Sequence, residues 1–326
     1  MIATFMALLL SFVNGSANIQ NIQNLSQSEP TSVSVLFLGD MMFDRSVRVK
    51  ANAIGYENIF GPSTTTIQNY DLTIANLEGP ITSYKSKLVT DSGKAISGFQ
   101  FTFDPVVASA VKKAGIDIVS LANNHTLNFA QDGLNQTRKI LTENAVTYFG
   151  SPSNTPAYTA TSTCIKNTCI GIIGWNEFGF ANDALIIDKI KEMRSQVDYL
   201  VIYPHWGIEY QVTPSKKQIE LAHKWIDAGA DVIIGAHPHV VETVEVYKDK
   251  YIFYSLGNFI FDQYFSFNTT HGIGVGATIY KDKVEYKIIP FSSVGSKVSV
   301  PSESSIKKLF DILRKNSGSV IDQMIR

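Results

Sequence analysis

The chain has 326 residues, 44% of them hydrophobic and only 17% charged, against roughly 25% charged in an average soluble domain. That apolar content excludes a disordered chain. A near balance of 28 Lys plus Arg against 29 Asp plus Glu excludes a polybasic nucleic-acid binder, so no nucleic-acid partner is expected.

Residues 1–17 open with an uncharged apolar run, Met1 to Val13, followed by Asn14-Gly15-Ser16-Ala17. A short apolar run before small residues has the form of a secretory signal peptide, and it falls short of the about 20 apolar residues of a spanning helix. No Lys or Arg precedes the run, which keeps an uncleaved N-terminal membrane anchor as the alternative. Either way the expected location is exported: cell envelope, periplasm or outside. Residues 18–31 are rich in Asn, Gln and Ser and read as a linker.

A repeating order of strand, loop and helix follows. Ser34 to Leu38 is apolar and ends in Gly39-Asp40. Asp71 to Ala75 leads into Asn76-Leu77-Glu78. The polar stretch Tyr84 to Phe103 predicts a long loop over the site. Val106 to Ala114 reads as a helix, Ile116 to Leu121 as a strand running into Asn123-Asn124-His125, and Leu134 to Asn144 as a helix. Cys164 and Cys169 lie between strand-like segments, which predicts a hairpin. An oxidising compartment favours a disulfide across it, but spacing alone leaves two free thiols open. Val197 to Tyr203 runs into His205, Gln218 to Ala228 carries an apolar helical stripe, and Asp231 to Ile234 runs into His237-Pro238-His239. Continuous apolar runs alternating with helices indicate strands buried on both faces. After His239 the pattern changes to antiparallel strands over Val240 to Tyr247, Tyr251 to Tyr254, Ile273 to Tyr280 and Val284 to Ile289. Ser304 to Ile325 reads as a helix broken at Ser317-Gly318. The class is α/β, with one mixed sheet or two packed sheets.

Five apolar runs end in residues able to bind metal or move protons: Asp40, Glu78, Asn124 with His125, His205, and His237 with His239. In open α/β sheets ligands bind outside the carboxyl ends of the strands, so these residues are expected to converge. The chain has six histidines, and four fall at strand ends; His223 and His271 do not and are read as non-ligands. Imidazole suits zinc, iron and other transition metals, while carboxylate and amide oxygen suit harder ions such as manganese. Two carboxylates facing two divalent ions leave a positive site that attracts anions and lowers the pKa of bound water from about 15.7 towards about 7. Of Asn123 and Asn124, one is expected to be a ligand and the other a turn residue. Arg45 presents a planar fork to an anionic substrate or to a surface ion pair.

The strings LGDMMFDR (38–45), ANLEGPIT (75–82), SLANNHTLNFAQDGL (120–134), HWGIEY (205–210), LAHKWIDAGADVIIGAHPHVVETVEVY (221–247) and YSLGNFIFD (254–262) resemble the CapA family. These are bacterial capsule or poly-γ-glutamate synthesis proteins, whose domain is similar to the calcineurin-like metallophosphoesterases. The resemblance implies an α/β sandwich of two mixed sheets flanked by helices over residues 32–292, with 293–326 as a C-terminal helical tail. It implies Asp40 and His239 on a first metal, Glu78 bridging, and Asn124, His205 and His237 on a second. His125 resembles the histidine that protonates the leaving group. Met42 stands where those phosphoesterases place a histidine, and Glu78 where they place an aspartate. Glu209 and Asn258 fall inside family motifs without an assigned catalytic role.

The expected function is therefore a CapA-like protein of capsule synthesis with a hydrolase site, phosphoesterase-like in using hydroxide on two divalent ions (Mn, Fe or Zn). Its substrate would be an anionic small molecule or polymer, and its partners membrane-bound synthase subunits. The alternatives are a non-catalytic polymer-binding or export subunit, and an amide hydrolase or transferase acting on the polymer.

Overall fold

The computed structural model describes residues 32–180 and 183–325. The expected signal segment and linker lie outside the described residues. No described helix is long and apolar enough to cross a membrane.

The chain forms two mixed β-sheets. Strand β1 (Val33–Met41) is almost wholly buried and occupies the middle of the first sheet. β2 (Leu72–Leu77), β3 (Ile118–Ser120) and β4 (Thr147–Phe149) continue from it in parallel. The chain then leaves for the second sheet: β5 (Ala160–Ile165), β6 (Thr168–Asn176), β7 (Tyr199–His205), β8 (Val232–Ile234), β9 (Val244–Tyr247) and β10 (Lys250–Phe253). Their spatial order is β5-β6-β7-β8-β10-β9. The inner four are parallel, and β5 and β9 close the edges antiparallel. β11 (Asn258–Ile260) returns to the first sheet parallel to the end of β1, and β12 (His271–Ile279) with β13 (Val284–Ser292) completes it antiparallel.

Period-two alternation divides each strand between two cores. Val35, Phe37, Ile74, Ile172, Val201 and Val232 meet between the sheets. Leu36, Leu38, Ala75 and Val119 face outward onto helices Arg45–Ile54, Val106–Ala114 and Ala130–Glu143. Ile173, Leu200, Ile202 and Ile233 face helices Asp183–Arg194 and Lys216–Ala228 across a cluster of Trp175, Trp206 and Trp225. The result is a helix-sheet-sheet-helix sandwich, one of the few layerings that bury both faces of a parallel sheet.

One strand differs from expectation, and the C-terminal helix breaks where expected. The strand predicted from Val240 begins only at Val244. The chain is still turning out of the preceding segment, where His237 and His239 hold φ of 99° and 60°, a backbone region that disfavours extended pairing. The C-terminal helix ends at Ser317 and continues as a 3₁₀ turn over Gly318–Gln323. Leu309, Leu313, Ile321 and Met324 from this segment enter the core between the sheets, so residues 303–324 plug the sandwich.

Cys164 and Cys169 face each other across the β5–β6 hairpin and form a disulfide. Alkylation of the folded protein without reductant is predicted to label neither cysteine in the intact mass, and both after reduction. Labelling before reduction would contradict the bond.

Candidate metal centre

Both sheets deliver side chains from their carboxyl ends to one place. Asp40 ends the regular part of β1, Glu78 follows β2, and Asn124 and His125 follow β3. From the second sheet His205 ends β7, and His237 and His239 follow β8. A Cβ on Gly39 would lie 1.8 Å from the Gly257 carbonyl oxygen. Only glycine lets β1 approach the 256–258 segment so closely, and that approach brings Asn258 into register beside Asp40.

The side chains interlock. The His205 Nε2 lies 3.0 Å from Asn124 Oδ1 and 3.2 Å from His237 Nδ1. His239 Nδ1 lies 3.5 Å from Asp40 Oδ2, and His239 Nε2 lies 3.6 Å from Glu78 Oε1. His125 Nε2 is 3.9 Å from the same Glu78 oxygen. Two triads, Asp40-Glu78-His239 and Glu78-His205-His237, each present donor atoms within 4.8 Å of one another, with Glu78 common to both. Apart from Asn124 and His125, which are partly exposed, these side chains are buried.

Glu78 decides what the cluster can hold. Its side chain is fully buried, and neither carboxylate oxygen has a hydrogen-bond partner. A buried carboxylate without donors costs several kcal/mol unless a cation compensates it. The residues therefore fit divalent metal: two carboxylates, three imidazoles and an amide oxygen, with the unpartnered carboxylate shared between two donor sets. Burial drives the protonation states. It pushes the Glu78 carboxyl well above the usual range, His205 well below its ordinary value, and His237 down to about 3, assisted by the neighbouring imidazoles. Burial would lower His239 as well, but the Glu78 and Asp40 carboxylates outweigh it and push the imidazole up to about 9.

His125 stands at the mouth, its ring 4.5 Å from that of Phe101, so the 84–103 loop does reach the site. Burial pushes His125 down to about 4, leaving it neutral at pH 7. Asn128 Nδ2 donates to Phe99 O (2.5 Å) and lies 3.2 Å from His125 Nδ1. That makes Nδ1 the acceptor and leaves the proton on Nε2, the nitrogen facing Glu78. Arg45 is paired with Asp262 at 2.5 Å and packs over Phe101 and Phe261. Asp44 accepts from Arg45 N–H, Thr102 N–H and the Ser86 hydroxyl, fixing the start of helix Arg45–Ile54 and the long loop together. Met42 does not face the metal ligands: its sulfur accepts the Asp44 N–H at 3.0 Å.

Asn76 was not singled out from sequence. Its Nδ2 donates to Asp40 Oδ1 (2.8 Å) and its Oδ1 accepts from Asn123 Nδ2 (3.0 Å). Asn123 in turn donates to Leu77 O and accepts from His125 N–H, so it supports the turn while Asn124 points at His205. A buried amide in the apolar run of β2 must find such partners, and that was the available signal. Asn258 accepts the proton of His239 Nδ1 at 2.9 Å, fixing the ring so that Nε2 faces Glu78, as outer partners of ligand imidazoles do.

The profile of the bacterial capsule synthesis protein PGA_cap family matches residues 34–263. The chain belongs to that family. It is 32% identical over 260 residues to a capsule biosynthesis protein CapA of Bacillus anthracis, a match covering 72% of this chain and 61% of the relative. It is 30% identical over 247 residues to the PGA biosynthesis protein CapA of Bacillus subtilis, covering 71% and 64%. The aligned part thus spans about six-tenths of either relative's length. Among solved structures, a novel phosphatase from Mycoplasma pneumoniae superposes with a TM-score of 0.51 at 13% identity, covering 87% of this chain and 100% of the phosphatase. The Haemophilus influenzae NAD nucleotidase gives 0.50 at 12% identity, covering 88% and 63%. At such identities the likeness establishes the fold, which this PGA_cap chain shares with that phosphatase and that nucleotidase.

Metal ligands must be deprotonated, so binding competes with the His239 proton. At pH 7.5, below the raised value of about 9, uptake of manganese is predicted to release protons, and apparent affinity to rise as pH approaches 9. Calorimetry in buffers of different ionisation enthalpy measures this; an enthalpy independent of buffer would contradict it.

Proposed function

We propose that this PGA_cap protein is an exported, metal-dependent hydrolase of capsule or poly-glutamate synthesis, acting on an anionic small molecule or polymer. The observation that carries the reading is the buried, unpartnered Glu78 carboxylate shared by two donor triads from two sheets. Asp40, Glu78, Asn124, His205, His237 and His239 would hold divalent ions, which supply charge neutralisation and an activated water at neutral pH.

The chain's own residues do the rest. Asn76 and the His237 backbone N–H, 3.1 Å from Asp40 Oδ2, hold Asp40 in its orientation. His125, neutral with its proton on Nε2, donates to the oxygen on which charge develops as the bond breaks. A cleft of about 360 Å³ is lined by Arg45, Ser97, Phe99, Tyr210, Asp262 and Phe265, with the Tyr210 ring 6.3 Å from that of His239. The Arg45 guanidinium is paired with Asp262 in the wall of that cleft, and the aromatic rings offer surface for the organic part of a substrate. Another cleft, of about 650 Å³, lies at the other end of the strands among Lys166, Asp231, Lys250 and Tyr286; it is remote from the convergent donors and plays no part in this reading.

The test uses the full chain loaded with manganese and assayed on phosphodiesters, phosphomonoesters and γ-glutamyl amides. Turnover is expected on at least one class and abolished by chelator. His239→Ala should lose metal and activity together. His125→Ala should keep its metal and slow turnover by roughly 10²–10⁴-fold, the usual worth of a positioned proton donor. A metal-loaded protein that turns over none of these while binding the polymer would replace this reading with the polymer-binding subunit.

A further inference from the structure

Glu209 lies in the loop that follows β7, exposed at the mouth of the centre. Its carboxylate nevertheless comes within 4.8 Å of donor atoms on His237 and His239. The loop is tied down at both ends. Gly207 N–H donates to Glu177 Oε2 at 2.7 Å, and Tyr210 N–H donates to Pro238 O at 2.8 Å, which fastens it to the segment carrying both histidines. Gly207 and Tyr210 take φ of 91° and 67°, so the chain bends back over the site instead of leading away from it. The Tyr210 ring stands 6.3 Å from that of His239.

Position 42 supplies the centre with no donor. Met42 follows Asp40 by two residues but is fully buried, with its sulfur engaged by the Asp44 N–H. Asp40, Glu78 and His239 alone make three protein ligands, and hard divalent ions such as manganese take up more oxygen donors than that. Both Glu78 oxygens are buried without a hydrogen-bond partner, and Glu78 shares one donor group with His237 and another with His239, which places a demand for cation beside both histidines independently of Glu209.

We propose that Glu209 is a further ligand of the metal centre, brought in by the loop from the open side between His237 and His239. It supplies the donor that position 42 does not. A third carboxylate also removes one unit of the positive charge that two divalent ions would leave over Asp40 and Glu78. The proposal rests on the cluster being a metal centre.

The experiment titrates the full chain, unaltered and as Glu209→Gln, with manganese alone and with cobalt alone. Calorimetry reads affinity and stoichiometry, and the visible cobalt spectrum reads the ligand field. Glu209→Gln should bind manganese at least about tenfold more weakly, in the range that supporting residues of metal sites command, with a changed cobalt spectrum. Its unfolding temperature in chelator should match the unaltered chain, because the residue is exposed. Equal affinity and an unchanged spectrum in the variant would overturn the proposal while leaving the metal centre standing. Failure of the unaltered chain to bind either ion would overturn both.

Discussion

The structure is organised around a carboxylate sealed away from water. Glu78 is buried at the end of β2 with no donor to either oxygen, and the free-energy cost of ionising such a group is offset by positive charge beside it. Within the chain that charge is the raised-pKa imidazole of His239, 3.6 Å away. The remaining donors, Asp40, Asn124, His205 and His237, come from four separate segments of chain and converge with them. The cluster is thus frustrated as a set of side chains and satisfied as a ligand shell.

The rest of the fold fixes these segments relative to one another. The parallel register of β1 with β2 sets Asp40 opposite Asn76, and that of β6 with β7 sets His205 opposite Asn176. The shared core between the sheets locks the two sets together, since Phe37, two residues before Gly39, packs in the same cluster as Val201 and Ile234. Packed interiors do not deform continuously, so a donor geometry spread over two sheets is held by the core beneath it. Strain sits at the rim, in the positive φ of Arg45, Tyr210, His237 and His239, where function concentrates in general.

Much of this was readable from the chain. Apolar runs alternating with helices give the α/β class, the family resemblance implies the two-sheet sandwich, and strand ends finishing in Asp40, Glu78, His205, His237 and His239 bring these residues together. The supporting layer was not readable. Asn76 lies inside an apolar strand, and only the three-dimensional register reveals that it joins Asp40 to Asn123. Glu209 reads as an exposed loop acid until the Tyr210–Pro238 hydrogen bond brings the loop back over the histidines. For Arg45 the sequence leaves an anionic substrate and an ion pair open; the structure gives the ion pair, and its partner Asp262 lies 217 residues away in sequence, which no local pattern signals. The shortened strand at Val244 has a similar origin, since local propensity yields to the backbone bend that aims two histidines.

The most direct test of the central claim is thermal unfolding of the unaltered chain and of Glu78→Gln, each in chelator and in manganese. If Glu78 is a buried ligand awaiting a cation, manganese raises the unfolding temperature of the unaltered chain. Glu78→Gln then gains little from manganese, because the carboxylate common to both donor sets is gone. An unaltered chain indifferent to manganese, or a variant that gains as much as it does, would contradict the account.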